Sequence, residues 1–143
     1  MIRTSLSRPT VQGPISLLVT PEELRILSQC ANEAMSVVAK KASKQGLVAP
    51  VREIENLTDY LLSIYDGILM GNTDLELYED GNSYSYDIHV ALVLNDIVLL
   101  KKCIEEALAV IDDWEFGSRI GVEKTVVTEL RDDLVQILAS TND

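Results

Sequence analysis

The side chains best equipped for chemistry are few: one histidine, His89, two cysteines, Cys30 and Cys103, and a large surplus of carboxylates. His89 follows Asp87 by two residues. On a β-strand that spacing puts both on one face, where an Asp–His pair could move a proton. Nucleophilic hydrolysis needs a nucleophile, a base and an oxyanion site together. No Gly-x-Ser-x-Gly run, Walker-type loop or Gly-x-Gly-x-x-Gly fingerprint accompanies the pair. A lone histidine of this kind is expected to be structural, and the chain is expected not to be an enzyme. Two cysteines 73 positions apart and one histidine make no zinc pattern. Both cysteines border an apolar helix stripe and are expected to be small buried residues.

Calcium is tested by the acids near Gly81. With Gly81 at the sixth position of an EF-hand loop, Glu76 and Asp80 fall at the first and fifth. Tyr78 and Asp87 then fill the third and twelfth, which breaks the pattern. No metal and no cofactor is expected.

The carboxylates are distributed unevenly. Residues 53–100 hold ten acids and no lysine or arginine. Residues 1–52 carry seven basic and three acidic side chains, the remainder five and twenty, within a formal net charge of −11. Such asymmetry concerns partners and steering rather than fold. It fits a cationic protein surface and excludes nucleic acid, whose phosphates need net positive charge. Residues 119–130 resemble the turn and second helix of a helix-turn-helix, but Glu123, Glu129, Asp132 and Asp133 outnumber Lys124 and Arg131 there. Asp112, Asp113, Trp114 and Phe116 gather the only Trp and the only Phe beside acids in a segment between helices. They are the candidate partner-binding residues, with Glu79 and Asp80 at the most acidic turn.

The elements that must position these residues read clearly in places. Residues 1–14 lack periodicity and are expected to form a flexible basic arm. Thr20-Pro21-Glu22-Glu23 is a strong helix start, and Leu24, Leu27, Ala31, Ala34 and Val38 form its stripe. Pro50 opens a second helix with Ile54, Leu57, Leu61, Ile64 and Ile68 inward. Leu75 and Leu77 alternate with acids ahead of the Asp80-Gly81 turn, and Tyr84 to Leu94 is apolar at every second residue. Asn95-Asp96 offers the cap of a third helix through Ile97, Leu100, Ile104, Ala107 and Ile111. A fourth runs over 123–139.

The third helix repeats the first at an offset of 73. Leu-Ser-Gln-Cys-Ala-Asn-Glu-Ala-Met-Ser-Val-Val (27–38) and Leu-Lys-Lys-Cys-Ile-Glu-Glu-Ala-Leu-Ala-Val-Ile (100–111) share five identities in twelve. Ile15-Ser-Leu precedes the first helix as Ile88-His-Val precedes the third, with a two-residue insertion expected before the cap. In the corner after the first helix, Lys40, Lys41 and Lys44 become Asp113, Trp114 and Gly117.

The expected fold is α+β and mostly helical. Two helical hairpins (four main helices) are related by a pseudo-two-fold, with a small antiparallel sheet from strands near 15–19, 75–79 and 84–94. An all-α four-helix bundle is the alternative. Residues 15–143 form one domain of two strand–helix–helix pseudo-repeats, 15–70 and 84–140. No 7–15-residue apolar signal core follows Met1, and no ~20-residue apolar run is present to cross a membrane, so a cytoplasmic protein is expected. The expected function is a non-enzymatic acidic module for a basic protein partner, of inhibitor, immunity or adaptor type, and a homodimer. The alternative is an enzyme or ligand-binding protein with a pocket near Asp87 and His89.

Overall fold

The computed structural model describes residues 2–4, 15–45, 49–69, 75–80 and 83–141, with side chains for 2, 4, 15–37, 51–67 and 88–140. The element order is β1 (Arg3–Thr4), β2 (Ile15–Val19), α1 (Pro21–Gln45), α2 (Ala49–Leu69), β3 (Leu75–Asp80), β4 (Ser83–Leu92), α3 (Leu94–Val110), α4 (Asp113–Ile120) and α5 (Lys124–Thr141). The chain is therefore mostly helical with one antiparallel sheet, and the all-α alternative is set aside. Strand order is β1-β2-β4-β3.

The sheet follows from period-two patterning. Ile15, Leu17 and Val19 of β2 and Ile88, Val90 and Leu92 of β4 are buried, while His89 and Ala91 point to solvent. β2 and β4 pair with Leu17 opposite Val90, flanked by Ile15 opposite Leu92 and Val19 opposite Ile88. α1 and α3 pack against each other and against β4. α2 flanks α1, and α5 flanks α3. Their inward stripes are those read from the sequence: Leu24, Leu27, Ala31 and Ala34 on α1, and Ile97, Leu100, Ile104 and Ala107 on α3.

Three expectations are corrected. Among the described residues there are five helices rather than four, because 113–120 is itself helical. Asp112 stands in extended conformation at its start, Asp113 and Glu115 face the positive end of its dipole, and Gly121 closes it at φ 93°. β4 ends at Leu92, and α3 begins at Leu94 with Val93 in the cap position, rather than at Asn95-Asp96. α3 thus starts 73 residues after α1, with no insertion. The start of the expected arm is structured: Arg3 and Thr4 pair with Leu18 and Leu17, Ile2 is buried, and the Ile2 N–H donates to Asp133 Oδ2 at 3.0 Å. Residues 5–14 lie outside the described residues.

Burial recurs at the 73-residue offset. Ile54, Leu57 and Leu61 of α2 are buried, and so are Val127, Leu130 and Leu134 of α5. Cys30 and Cys103 are likewise both buried. The caps differ. Thr20 and Glu23 form a reciprocal capping box: Glu23 N–H donates to Thr20 Oγ1 at 3.1 Å, and Thr20 N–H donates to Glu23 Oε1 at 2.8 Å. Val93, at the matching position, makes no side-chain cap bond. Thr20→Ala is expected to lose about 1 kcal/mol in urea unfolding, and Val93→Thr to gain about 0.5–1 kcal/mol by supplying the missing acceptor.

Candidate functional site

Each candidate residue is placed by a short element. The α3–α4–α5 corner is held by Lys124, whose ammonium donates to Leu108 O at 3.2 Å, pairs with Asp113 Oδ1 at 2.6 Å and lies 5.6 Å from the Phe116 ring centroid. The Asp112 carbonyl accepts the amides of Glu115 and Phe116, both at 3.0 Å. These contacts aim the two aromatics in opposite directions. Phe116 is buried in the main core, whereas Trp114 is 80% exposed. Of the predicted partner residues, Asp112, Asp113 and Trp114 share one exposed corner. Phe116 caps the core beneath it and is not on the surface, because α4 turns its apolar face, Phe116 and Ile120, inward. Glu79 and Asp80 end β3, opposite Tyr84 and Ser83. Their side chains lie outside the described residues.

Trp114 is exposed beside two carboxylates, while other side chains secure the fold around it. Its indole offers a face to a cation and a large area to desolvate. Arg119, at the far end of α4, is tied to Glu33 of α1, and the Glu33 hydrogen bond raises the guanidinium's pKa.

His89 projects from the outer face of the sheet. Its Nδ1 shares a hydrogen bond with Ser16 Oγ across 3.1 Å, and the two residues are 73 positions apart. The Asp87 side chain lies outside the described residues. The Ser16–His89 bond joins β2 to β4 on the solvent side of the sheet.

Among the described residues no group of three His, Cys, Asp or Glu side chains is placed to hold a metal ion. No helix among them is long and apolar enough to cross a membrane.

No carboxylate of α1 or α5 was singled out as a site residue from the sequence, yet five of them line one groove. Glu22 and Glu23 on α1 face Glu129, Asp132 and Asp133 on α5 across a floor of Ile26, Val122, Val126 and Leu130. The space holds about 470 Å³. Arg25 hydrogen-bonds Glu22 and lowers its pKa, while also donating to Ile120 O at 2.9 Å. The two acid sets are about a hundred residues apart in sequence, and each alone reads as an ordinary solvated helix face.

The cysteines are free thiols on α1 and α3. Burial pushes Cys30 up to about 12 and Cys103 up to about 11. Because the folded values exceed those of unfolded cysteine, the associated stability is fully present below about pH 9 and is lost as pH rises toward 11–12. Both thiols should resist a disulfide reagent at pH 8 until denaturant is added. Alkaline destabilisation measured by urea unfolding between pH 8 and 11 should be smaller in Cys30→Ala/Cys103→Ala.

Comparison with protein-family models, curated proteins and solved structures finds no match.

Proposed function

We propose that the protein is a non-enzymatic interaction module that binds a basic protein partner. The observation that carries this is Trp114, 80% exposed at a corner with Asp112 and Asp113 in a chain of net charge −11. An aromatic anchor within an acidic rim supplies both the desolvated contact and the steering field that a cationic surface requires. An adaptor, inhibitor or immunity role fits this chemistry. A pocket at Asp87 and His89 draws less support, since His89 stands on the solvent face of the sheet.

The architecture proposed with it is a duplication about a pseudo-two-fold, and the repeat unit is longer than the strand–helix–helix of the sequence reading. Each copy is a hairpin followed by two long helices: β1-β2-α1-α2, then β3-β4-α3-α5 with α4 inserted. The strand order β1-β2-β4-β3 maps onto itself when the copies are exchanged. So does the β2–β4 register, because Leu17 faces its own counterpart Val90 and every other pair exchanges symmetrically. The uneven charge of the two copies also favours self-association, and a homodimer belongs to the proposal. Sedimentation at low and high salt tests it, with a monomer at both as the contrary result.

Affinity capture from the source cell should return basic proteins that elute with salt. Trp114→Ala should weaken that capture by about 2 kcal/mol, and Asp112→Asn/Asp113→Asn should reduce it chiefly at low salt. Unfolding stability should change by less than about 0.5 kcal/mol for Trp114→Ala, an exposed site. Capture that is indifferent to salt and to Trp114 would overturn the reading.

A further inference from the structure

The groove between α1 and α5 has a counterpart. Between the start of α3 and the facing side of α2 lies a second groove of about 450 Å³, lined by Asn95, Asp96, Leu99 and Glu53 among others. It adjoins a hollow of about 230 Å³ bordered by Asn56, Leu57 and Tyr60 and sharing Glu53 and Asp96. Adding 73 to the three α1 residues of the first groove, and subtracting 73 from its five α5 residues, places seven of these eight on the second groove and its hollow.

The floors correspond: Ile26 to Leu99 and Leu130 to Leu57. The rims do not. Glu22, Glu129 and Asp133 of the first groove stand where the second has Asn95, Asn56 and Tyr60. The second groove also includes Lys102, while among the described residues no lysine or arginine lines the first, although Arg25 pairs with Glu22 and Arg131 with Asp132 beside it.

This internal comparison separates two explanations of the acids. If helix starts and helix faces in this fold required carboxylates for solvation or capping, both grooves would carry them. The second groove occupies an equivalent frame and keeps Asp96 in place of Glu23, with Glu53 in place of Val126, but it has Asn95 and Asn56 in place of Glu22 and Glu129, so the fold does not require those two to be acidic. Like charges around one concavity repel one another, a cost that a bound cation relieves.

We propose that the α1–α5 groove is a docking site for a cationic amphipathic segment of a partner protein, its apolar residue on Ile26, Val126 and Leu130 and its lysines or arginines against the rim. The α2–α3 groove is the less acidic relative of that site. The choice of a basic partner rests on the function proposed above; the place of docking does not, since it is argued from the groove and its counterpart.

The test uses the full chain and an amphipathic peptide of leucine and lysine, with a leucine–glutamine peptide of equal length as control. Amide shifts on titration should move at 22–26 and 122–133 and leave 53–60 and 95–102 in place. Glu22→Asn/Glu129→Asn, which copies Asn95 and Asn56, should weaken binding by about tenfold or more with the unfolding midpoint retained. The reciprocal Asn95→Glu/Asn56→Glu should raise the stoichiometry from one peptide to two. Equal binding of the glutamine peptide, or unchanged affinity in the Glu22→Asn/Glu129→Asn variant, would overturn the proposal. Shifts confined to the Trp114 corner would overturn the groove while leaving the basic-partner reading standing. Failure of the lysine peptide to bind anywhere would count against both. Concentration-dependent shifts at 22–26 and 122–133 without peptide would assign the groove to a second copy of the chain instead.

Discussion

The pairing of β2 with β4 is the constraint on which the rest of the molecule depends. Leu17 lies opposite Val90 at its centre, and the alternate residues on either side form the inner face of the sheet. A slip of one residue would turn the three inward side chains of the slipped strand to solvent, since neighbours on a strand face opposite ways. The same register sets the helices. A single residue, Thr20 or Val93, separates each strand from the helix that follows. With so short a connection, the last inward residue of the strand fixes the azimuth at which the helix leaves the sheet. Leu24 and Ile97 are then the first fully buried apolar residues of the two helices.

That coupling explains where sequence patterns were legible and where they failed. The stripes of α1, α2, α3 and α5 and the alternation in β4 are periodic over many residues, so local noise averages out. α4 is eight residues long with two buried side chains, too few to form a stripe. Its markers were nonetheless present, with Asp112 and Asp113 at one end and Gly121 at the other. The start of α3 departs from its sequence signal for a different reason. Asn95 and Asp96 are better capping residues than Val93, but β4 must stop where its last buried residue, Leu92, has been delivered, and the cap falls on the next position whatever its side chain. Tertiary register overrode local cap preference. β1 was illegible because its short described segment, 2–4, derives its order from the edge of β2 and from the Asp133 carboxylate rather than from any pattern of its own.

The candidate site was legible in part. An exposed tryptophan can be suspected from composition, but which of Trp114 and Phe116 faces outward depends on the phase of α4, and that phase follows from Lys124 and the core beneath. The acidic groove combines the start of α1 with the middle of α5, joined only by the tertiary fold. A reading by runs of charge favours 53–100, where acids are consecutive in sequence. Electrostatic potential depends on proximity in space, and the five carboxylates that converge most clearly among the described residues lie outside that run.

Under the proposed duplication, divergence between the copies is ordered by depth. Most core pairs exchange one aliphatic for another of similar size, as Leu17 for Val90 and Leu24 for Ile97, or remain identical, as Leu27 and Leu100, because a packed interior tolerates volume-conserving changes best. Ala31 for Ile104, both fully buried, is a larger exchange. The surface is released from that restriction and has changed in charge at the groove rims. At the corner the change is one of backbone. α1 continues as one helix through Lys40, Lys41 and Lys44, whereas its counterpart stops at Val110 and restarts at Asp113. Ending a helix leaves carbonyls without intrahelical partners, and one of them, Leu108 O, is satisfied by Lys124. The break therefore comes with a fastener supplied by α5. What the interruption achieves is the exposure of an indole at a rigid position between Asp112, Asp113 and the core-bound Phe116. A mere loss of helix would leave the corner loose, but here the backbone is closed by Gly121, the charge of Asp113 is met by Lys124, and Trp114 projects outward beside the exposed Asp112 and Asp113.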